Sequence, residues 1–245
     1  MKEMAQSEKV NMHAKIIEKL DFSKSLVKQA SSLSPVEKEI FTSIPKYHDY
    51  GKIMFTESKF TDYFYKDRFW LSESLFIAVV FGIMIYLLLE GAFLNSFFKI
   101  FCFLFGVVKW TVLEYYFHRI VLHDDFSKIQ HLNGHYIHHA FPGFKDKLAL
   151  SPTKIFAYEI FFYFFYSWIL RLGHYETLHL ILGVQLLLAF YDGLHYYYHH
   201  GPDFNISYIR KMRRNHLKHH FRDQNRGFGV TTDFWDWVFG TLHSK

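Results

Sequence analysis

The chain has 245 residues, half of them hydrophobic and 21% aromatic, with a formal net charge of +5 and a single cysteine. Lone Cys102 excludes an internal disulfide framework and a thiolate metal site. A mean hydropathy of −0.02 averages long apolar runs against very polar stretches, the pattern of a membrane protein with aqueous parts rather than of a uniform soluble core.

In chain order, residues 1–70 form a polar, Lys-rich region in which no cleaved signal peptide is expected. Met12, Ile16, Ile17 and Leu20 have helical spacing, and Ser34-Pro35-Val36-Glu37 reads as a helix start, so short helices on or near a membrane surface are predicted there. Residues 71–245 form the second region. It holds four apolar stretches: Ser74 to Leu89, Ala92 to Val108, Ile155 to Leu170 and Leu178 to Tyr191. Glu90-Gly91 reverses the chain within the first pair, and Arg171 to Thr177 within the second. About 20 residues cross a bilayer core, so each stretch spans with help from flanking aromatics such as Trp70, Trp110, Tyr115, Tyr158, Trp168 and Tyr175. The predicted fold is therefore an all-α integral membrane protein with four spans in two hairpins.

Charge placement orients it. The N-terminal region, residues 109–154 and the C-terminal tail carry 12, 6 and 8 of the 28 Lys and Arg residues, and only Lys99 and Arg171 lie elsewhere. The positive-inside rule makes their shared side cytoplasmic, and no nucleic-acid partner is expected.

Histidine is the unusual residue. Twelve of the 17 histidines fall in three windows, all on that side. The first is Glu114-Tyr-Tyr-Phe-His118 through His123, continuing the second span. The second is His131-x-x-x-His135-x-x-His138-His139. The third joins His195-x-x-x-His199-His200, at the end of the fourth span, to His216-x-x-His219-His220 in the tail. Residues three or four apart share a helix face, so His195 and His199 can reach one ion. Adjacent histidines point about 100° apart, so His138-His139 and His219-His220 can each serve two ions, which suits a binuclear site. Imidazole suits Zn, Cu, Fe and Ni. Ten candidate ligands exceed the four of a closed zinc site, and the HExxH carboxylate of many catalytic zinc sites is missing. Isolated His13, His48, His174, His179 and His243 read as surface or interface residues, and His131 and His200 sit one step outside complete motifs. Asp192, Glu114, Asp233 and Asp236 could accept the second N–H of a bound imidazole, or serve equally as caps or interfacial charges.

At these residues the sequence resembles the fatty acid hydroxylase superfamily of membrane non-haem di-iron enzymes, and within it the fatty acid 2-hydroxylases. The likeness runs from about Phe69 to Thr241. It is carried by Glu114-Tyr115-Tyr116-Phe117-His118-Arg119, the histidine windows, Tyr191-Asp192-x-x-His195-Tyr196-x-x-His199, Gly227-Phe228-Gly229-Val230-Thr231-Thr232, and Phe234-Trp235-Asp236-x-Val238-Phe239-Gly240-Thr241. The resemblance implies four membrane helices under a cytosolic helical cap, two Fe ions with O2 as co-substrate, and hydroxylation at C2 of a fatty acid or sphingolipid N-acyl chain. Zinc competes for the same imidazoles during purification. Carried over by position, the ligands are His118, His123, His135, His138, His139, His195, His199, His216, His219 and His220, with His200 outside the ligand set.

Many eukaryotic members fuse a cytochrome b-type haem domain bearing His-Pro-Gly-Gly, a motif missing here, so a separate electron donor of cytochrome or ferredoxin type is expected. The compartment is the endoplasmic reticulum in a eukaryote or the inner membrane in a bacterium. Competing readings are a sterol or sphingoid-base hydroxylase or desaturase of the same superfamily, and a metal-binding or transporting membrane protein. The Arg210 to Arg214 cluster could attract anionic lipid or an acidic donor, or simply report the positive-inside bias.

Overall fold

The computed structural model describes residues 6–43, 58–59, 69–123, 135–145, 152–203 and 205–244. Among them the regular elements are helices. A short N-terminal group comprises α1 (Gln6–Lys19), α2 (Leu26–Ser31) and α3 (Pro35–Ser43). Four longer helices follow: α4 (Phe69–Leu89), α5 (Phe97–Tyr116), α7 (Pro152–Phe164) and α8 (His174–His200). Between and after them lie α6 (His135–Ala140), α9 (Ser207–Phe221) and α10 (Phe234–Val238).

The predicted start at Ser34 is a reciprocal capping box: the Ser34 N–H donates to Glu37 Oε2 at 2.9 Å and the Glu37 N–H to Ser34 Oγ at 3.3 Å. The apolar stripe of α1 is not turned to a surface. Ile16, Leu26, Ala30, Ile40 and Phe41 pack with Ile137, Ala140 and Phe141, so the N-terminal helices share a core with α6, which carries three histidines. Gln224 Nε2 ties the same region to the C-terminal tail by donating to the Thr42 carbonyl at 2.7 Å.

The four apolar stretches are helical, but their ends differ from the sequence reading. The first reversal is longer than Glu90-Gly91, because α5 begins at Phe97 instead of Ala92. Gly91 and Leu94 both have positive φ, and Ser96 caps α5 by accepting from the Lys99 N–H at 3.3 Å. Leu94 is held in that unfavourable conformation by its N–H, which donates to buried His179 Nε2 at 3.1 Å. At the second reversal, Arg171 is the residue with positive φ (54°).

Two of the four helices, Phe69–Leu89 and His174–His200, are long and apolar enough to cross a membrane by length and composition. Only 17% of the apolar window of α4 is buried within the protein, against 61% for α8. A soluble core helix would bury most of that window, so α4 points to membrane association. The outward faces of α5 and α7 are also apolar, with Phe101, Leu104, Phe105, Val108, Ile160 and Phe161 exposed.

Helix α8 is the central post, and α5 is its closest neighbour. A Cβ on Gly106 would run into the Leu180 carbonyl, and one on Gly183 into the Phe103 carbonyl, so each helix meets the other through a glycine. Small residues at such a crossing let the backbones approach, as between membrane helices. This contact fixes the ends of α5 and α8, where the first and third histidine windows begin.

Candidate metal centre

Each predicted ligand is delivered by a specific local feature. At its end α5 loosens into a π-helical turn, Phe117–Leu122, with His118 inside it and His123 at its close. An α-helix would splay residues five apart. Because a π-turn bonds i to i+5, the two rings come together, with centroids 5.1 Å apart. The helix that continues the second span is thus π-wound at these residues. Short α6 supplies His135, His138 and His139, the last two turns of α8 supply His195 and His199, and α9 supplies His216, His219 and His220.

The ten imidazoles sort into two groups of five. His118, His123, His135, His139 and His219 form one, and His138, His195, His199, His216 and His220 the other, with the nitrogens of each group within 4.8 Å of one another. Both adjacent pairs are split between the groups, as the angular offset of neighbouring helix residues requires. His195 and His199 stay together.

In the first group Nε2 atoms converge: His118 to His135 at 3.1 Å, His135 to His123 at 3.1 Å, His139 to His135 at 3.0 Å and His219 to His123 at 3.0 Å. The second shows His195 to His138 at 3.1 Å and His199 to His216 at 2.9 Å. Ligand nitrogens about 2.1 Å from an ion and at right angles to one another lie about 3.0 Å apart, whereas tetrahedral ones lie about 3.4 Å apart. The spacing therefore fits coordination numbers above four. His220 has no hydrogen-bond partner for either ring nitrogen among the described residues, a buried polar group that an ion would satisfy.

Two of the tautomers are fixed from outside. His118 Nδ1 lies 2.5 Å from the Phe228 carbonyl and His219 Nδ1 lies 2.8 Å from the Arg226 carbonyl. A carbonyl only accepts, so Nδ1 carries the proton and the Nε2 lone pair points inward. Several lone pairs facing one point repel unless a cation sits there. Burial, then neighbouring imidazoles, pushes His135, His138, His139, His216 and His220 well below the ordinary histidine range, and burial takes His118 down to about 4. The rings are thereby kept neutral, the form that binds a metal.

Glu114 and Asp236 act on the backbone rather than on an imidazole. Glu114 is buried and accepts from the Val230 N–H at 2.5 Å, the Thr231 N–H at 2.8 Å and the Thr231 hydroxyl. Asp236 accepts from the Phe228 N–H at 3.0 Å, the Gly229 N–H at 2.8 Å and Thr241 Oγ1 at 2.7 Å. Together they clamp the 228–231 segment whose carbonyl holds His118, so they act one bond removed from the ring. The sequence reading missed the Phe228 and Arg226 carbonyls because a backbone acceptor leaves no residue-type signal. Asp233 pairs with Lys211 at 2.6 Å, and Asp192 is hydrogen bonded to Glu73 of α4. His200 belongs to neither group, His131 lies outside the described residues, and His174 and His179 hold the reversals far along α8.

The sequence model of the family described as fatty acid hydroxylase matches residues 103–241. The chain is 36% identical over 148 residues to the fatty acid 2-hydroxylase of Rattus norvegicus, a match covering 57% of this chain and 39% of that protein. It is 33% identical over 152 residues to the dihydroceramide fatty acyl 2-hydroxylase FAH2 of Arabidopsis thaliana, covering 56% and 59%. The match thus spans less than two thirds of either relative. A solved structure described as full-length scs7p, with only the hydroxylase domain visible, superposes with a TM-score of 0.77 at 27% identity, covering 100% of this chain and 95% of that one. All ten clustered histidines lie inside the family match, and the chain belongs to the fatty acid hydroxylase family.

Proposed function

We propose that this chain is a membrane monooxygenase that hydroxylates C2 of a long acyl chain, either a free fatty acid or the N-acyl chain of a sphingolipid, at a pair of iron ions. The observation that carries the reading is the sorting of ten imidazoles, seven buried and three half-buried, into two groups of five whose nitrogens converge. The names of the relatives, fatty acid 2-hydroxylase and dihydroceramide fatty acyl 2-hydroxylase, support the C2 position. When bound, the two irons supply the activation of O2, with two electrons and two protons from outside balancing insertion of one oxygen atom and release of water.

The chain's own residues do the rest. His118, His123, His135, His139 and His219 would hold one ion, and His138, His195, His199, His216 and His220 the other. The Phe228 and Arg226 carbonyls orient His118 and His219, and Glu114 and Asp236 keep that segment rigid. The packed α1–α3 and α6 core keeps water from the α6 side of the centre. We place α4, α5, α7 and α8 across the bilayer as two hairpins, with the metal centre on the cytoplasmic face, which the Lys and Arg distribution supports. Residues 71–245 are the catalytic domain in this reading, and α1–α3 of the N-terminal region cover its α6 side. Electrons arrive from a separate cytochrome or ferredoxin-type protein.

The test is mass spectrometry of lipids from a host making this chain, with an electron donor supplied, against the same host making His219→Ala. New 2-hydroxy acyl species only with the intact chain would support the proposal. Hydroxylated sterols or sphingoid bases instead would move the chain to that branch of the family.

A further inference from the structure

Helix α10 is turned inside out relative to a helix facing water. Its buried residue is a carboxylate, Asp236, whereas Phe234 (50%), Trp237 (66%), Val238 (45%) and the following Phe239 (54%) are exposed. The turn is also firmly seated. Trp235 Nε1 donates to Thr111 Oγ1 of α5 at 2.9 Å, and the Phe239 ring stacks on Tyr115 at 5.2 Å. On the same helix as Thr111 and Tyr115, Val108, Val112 and Tyr116 are exposed as well. Thr111 precedes His118 by seven residues, which is about 10 Å of helix. That places the turn at the level where hydrocarbon gives way to headgroups, if the metal centre stands just outside.

Cations border the same place. Lys211, Arg214 and Lys218 share a face of α9, and Lys211 reaches Asp233 at 2.6 Å, immediately before α10. Three cations against one carboxylate leave the border positive. A rigid aromatic turn beside a positive helix face matches the chemistry of the boundary of an anionic leaflet.

We propose that α10 and the adjoining face of α9 form an in-plane foot that inserts Phe234, Trp237 and Val238 into an anionic leaflet, setting the depth of the metal centre. This rests on the membrane placement proposed above for α5. The partner is the bilayer itself, recognised by apolar burial at α10 and by phosphate at Arg214 and Lys218.

The test uses the full chain in lipid nanodiscs of phosphatidylcholine with or without phosphatidylglycerol. In a Cys102→Ala background, nitroxide labels are placed at Trp237→Cys, at Phe101→Cys on the outer face of α5, and at exposed Asn225→Cys. Relaxation by O2 is compared with relaxation by a water-soluble nickel chelate. We expect nickel access at 237 to be several-fold lower than at 225, to fall further with phosphatidylglycerol, and to lose that lipid dependence in Arg214→Gln/Lys218→Gln. Access at 237 equal to that at 225, with 101 protected, overturns the foot and leaves the membrane reading standing. Water access at 101 as well would overturn the membrane reading itself. Protection at 237 that ignores phosphatidylglycerol removes the anionic partner, and dipolar broadening between labels at 237 would show a second copy on this face instead.

Discussion

Replacing Glu114 by alanine should weaken a metal centre that Glu114 does not touch. The carboxylate accepts from the Val230 and Thr231 N–H groups, at 2.5 and 2.8 Å, and from the Thr231 hydroxyl. In Glu114→Ala both amides lose their acceptor. Each unsatisfied buried group costs about 1–3 kcal/mol, or about 2–6 kcal/mol together. For a chain of this size that corresponds to a fall in thermal midpoint on the order of 10 °C. The released segment carries the Phe228 carbonyl, so His118 loses its fixed tautomer and metal affinity should drop roughly 10–100-fold. Glu114→Gln keeps one oxygen for the two amides, and its amide can donate to the Thr231 hydroxyl, so the cost should be nearer about 1 kcal/mol. The assay pairs thermal unfolding of purified protein with metal stoichiometry by elemental mass spectrometry across a chelator titration. If Glu114→Ala matched the unaltered protein in both, the chain of support from carboxylate to loop to imidazole would be wrong.

The two-group geometry predicts separable losses. His123→Ala and His138→Ala strike different groups, so each should leave about one ion per chain, and the double variant near none; loss of both ions from either single variant would argue for one shared site. At the α5–α8 crossing, Gly106→Ala puts a methyl into the Leu180 carbonyl, and separating the helices should cost about 1–3 kcal/mol, visible as a lower midpoint and reduced metal content. Unchanged values would mean the helices can slide apart freely. Acid should destabilise the metal-free protein. Burial holds the folded pKa of His118, His138 and His220 below the ordinary 6.5, so their stabilisation is full above that value and is lost as pH falls from it through the folded values, about 4 for His118. A thermal midpoint that rose on acidification below 6.5 would contradict this.

The histidine groups were legible because they depend on residue type and short spacing. His135, His138, His139 and His216, His219, His220 announce themselves as helical triplets, and adjacent pairs must diverge on any helix, so a binuclear division followed from the sequence. The capping box at Ser34 and the helical character of the apolar stretches were equally local. Tertiary structure decided which imidazole joins which group, because His118, His139 and His219 come from elements whose meeting depends on packing and not on spacing. It decided the π-turn that aligns His118 with His123, a change of winding that composition does not encode. It also decided that Glu114 and Asp236 grip a backbone segment instead of a ring, since hydrogen bonds across 116 and 8 residues are set by where the chain returns. The partner of the α1 stripe was not legible, because an apolar stripe looks the same whether it faces lipid or α6; only the fold supplies Ile137 and Phe141 as its cover.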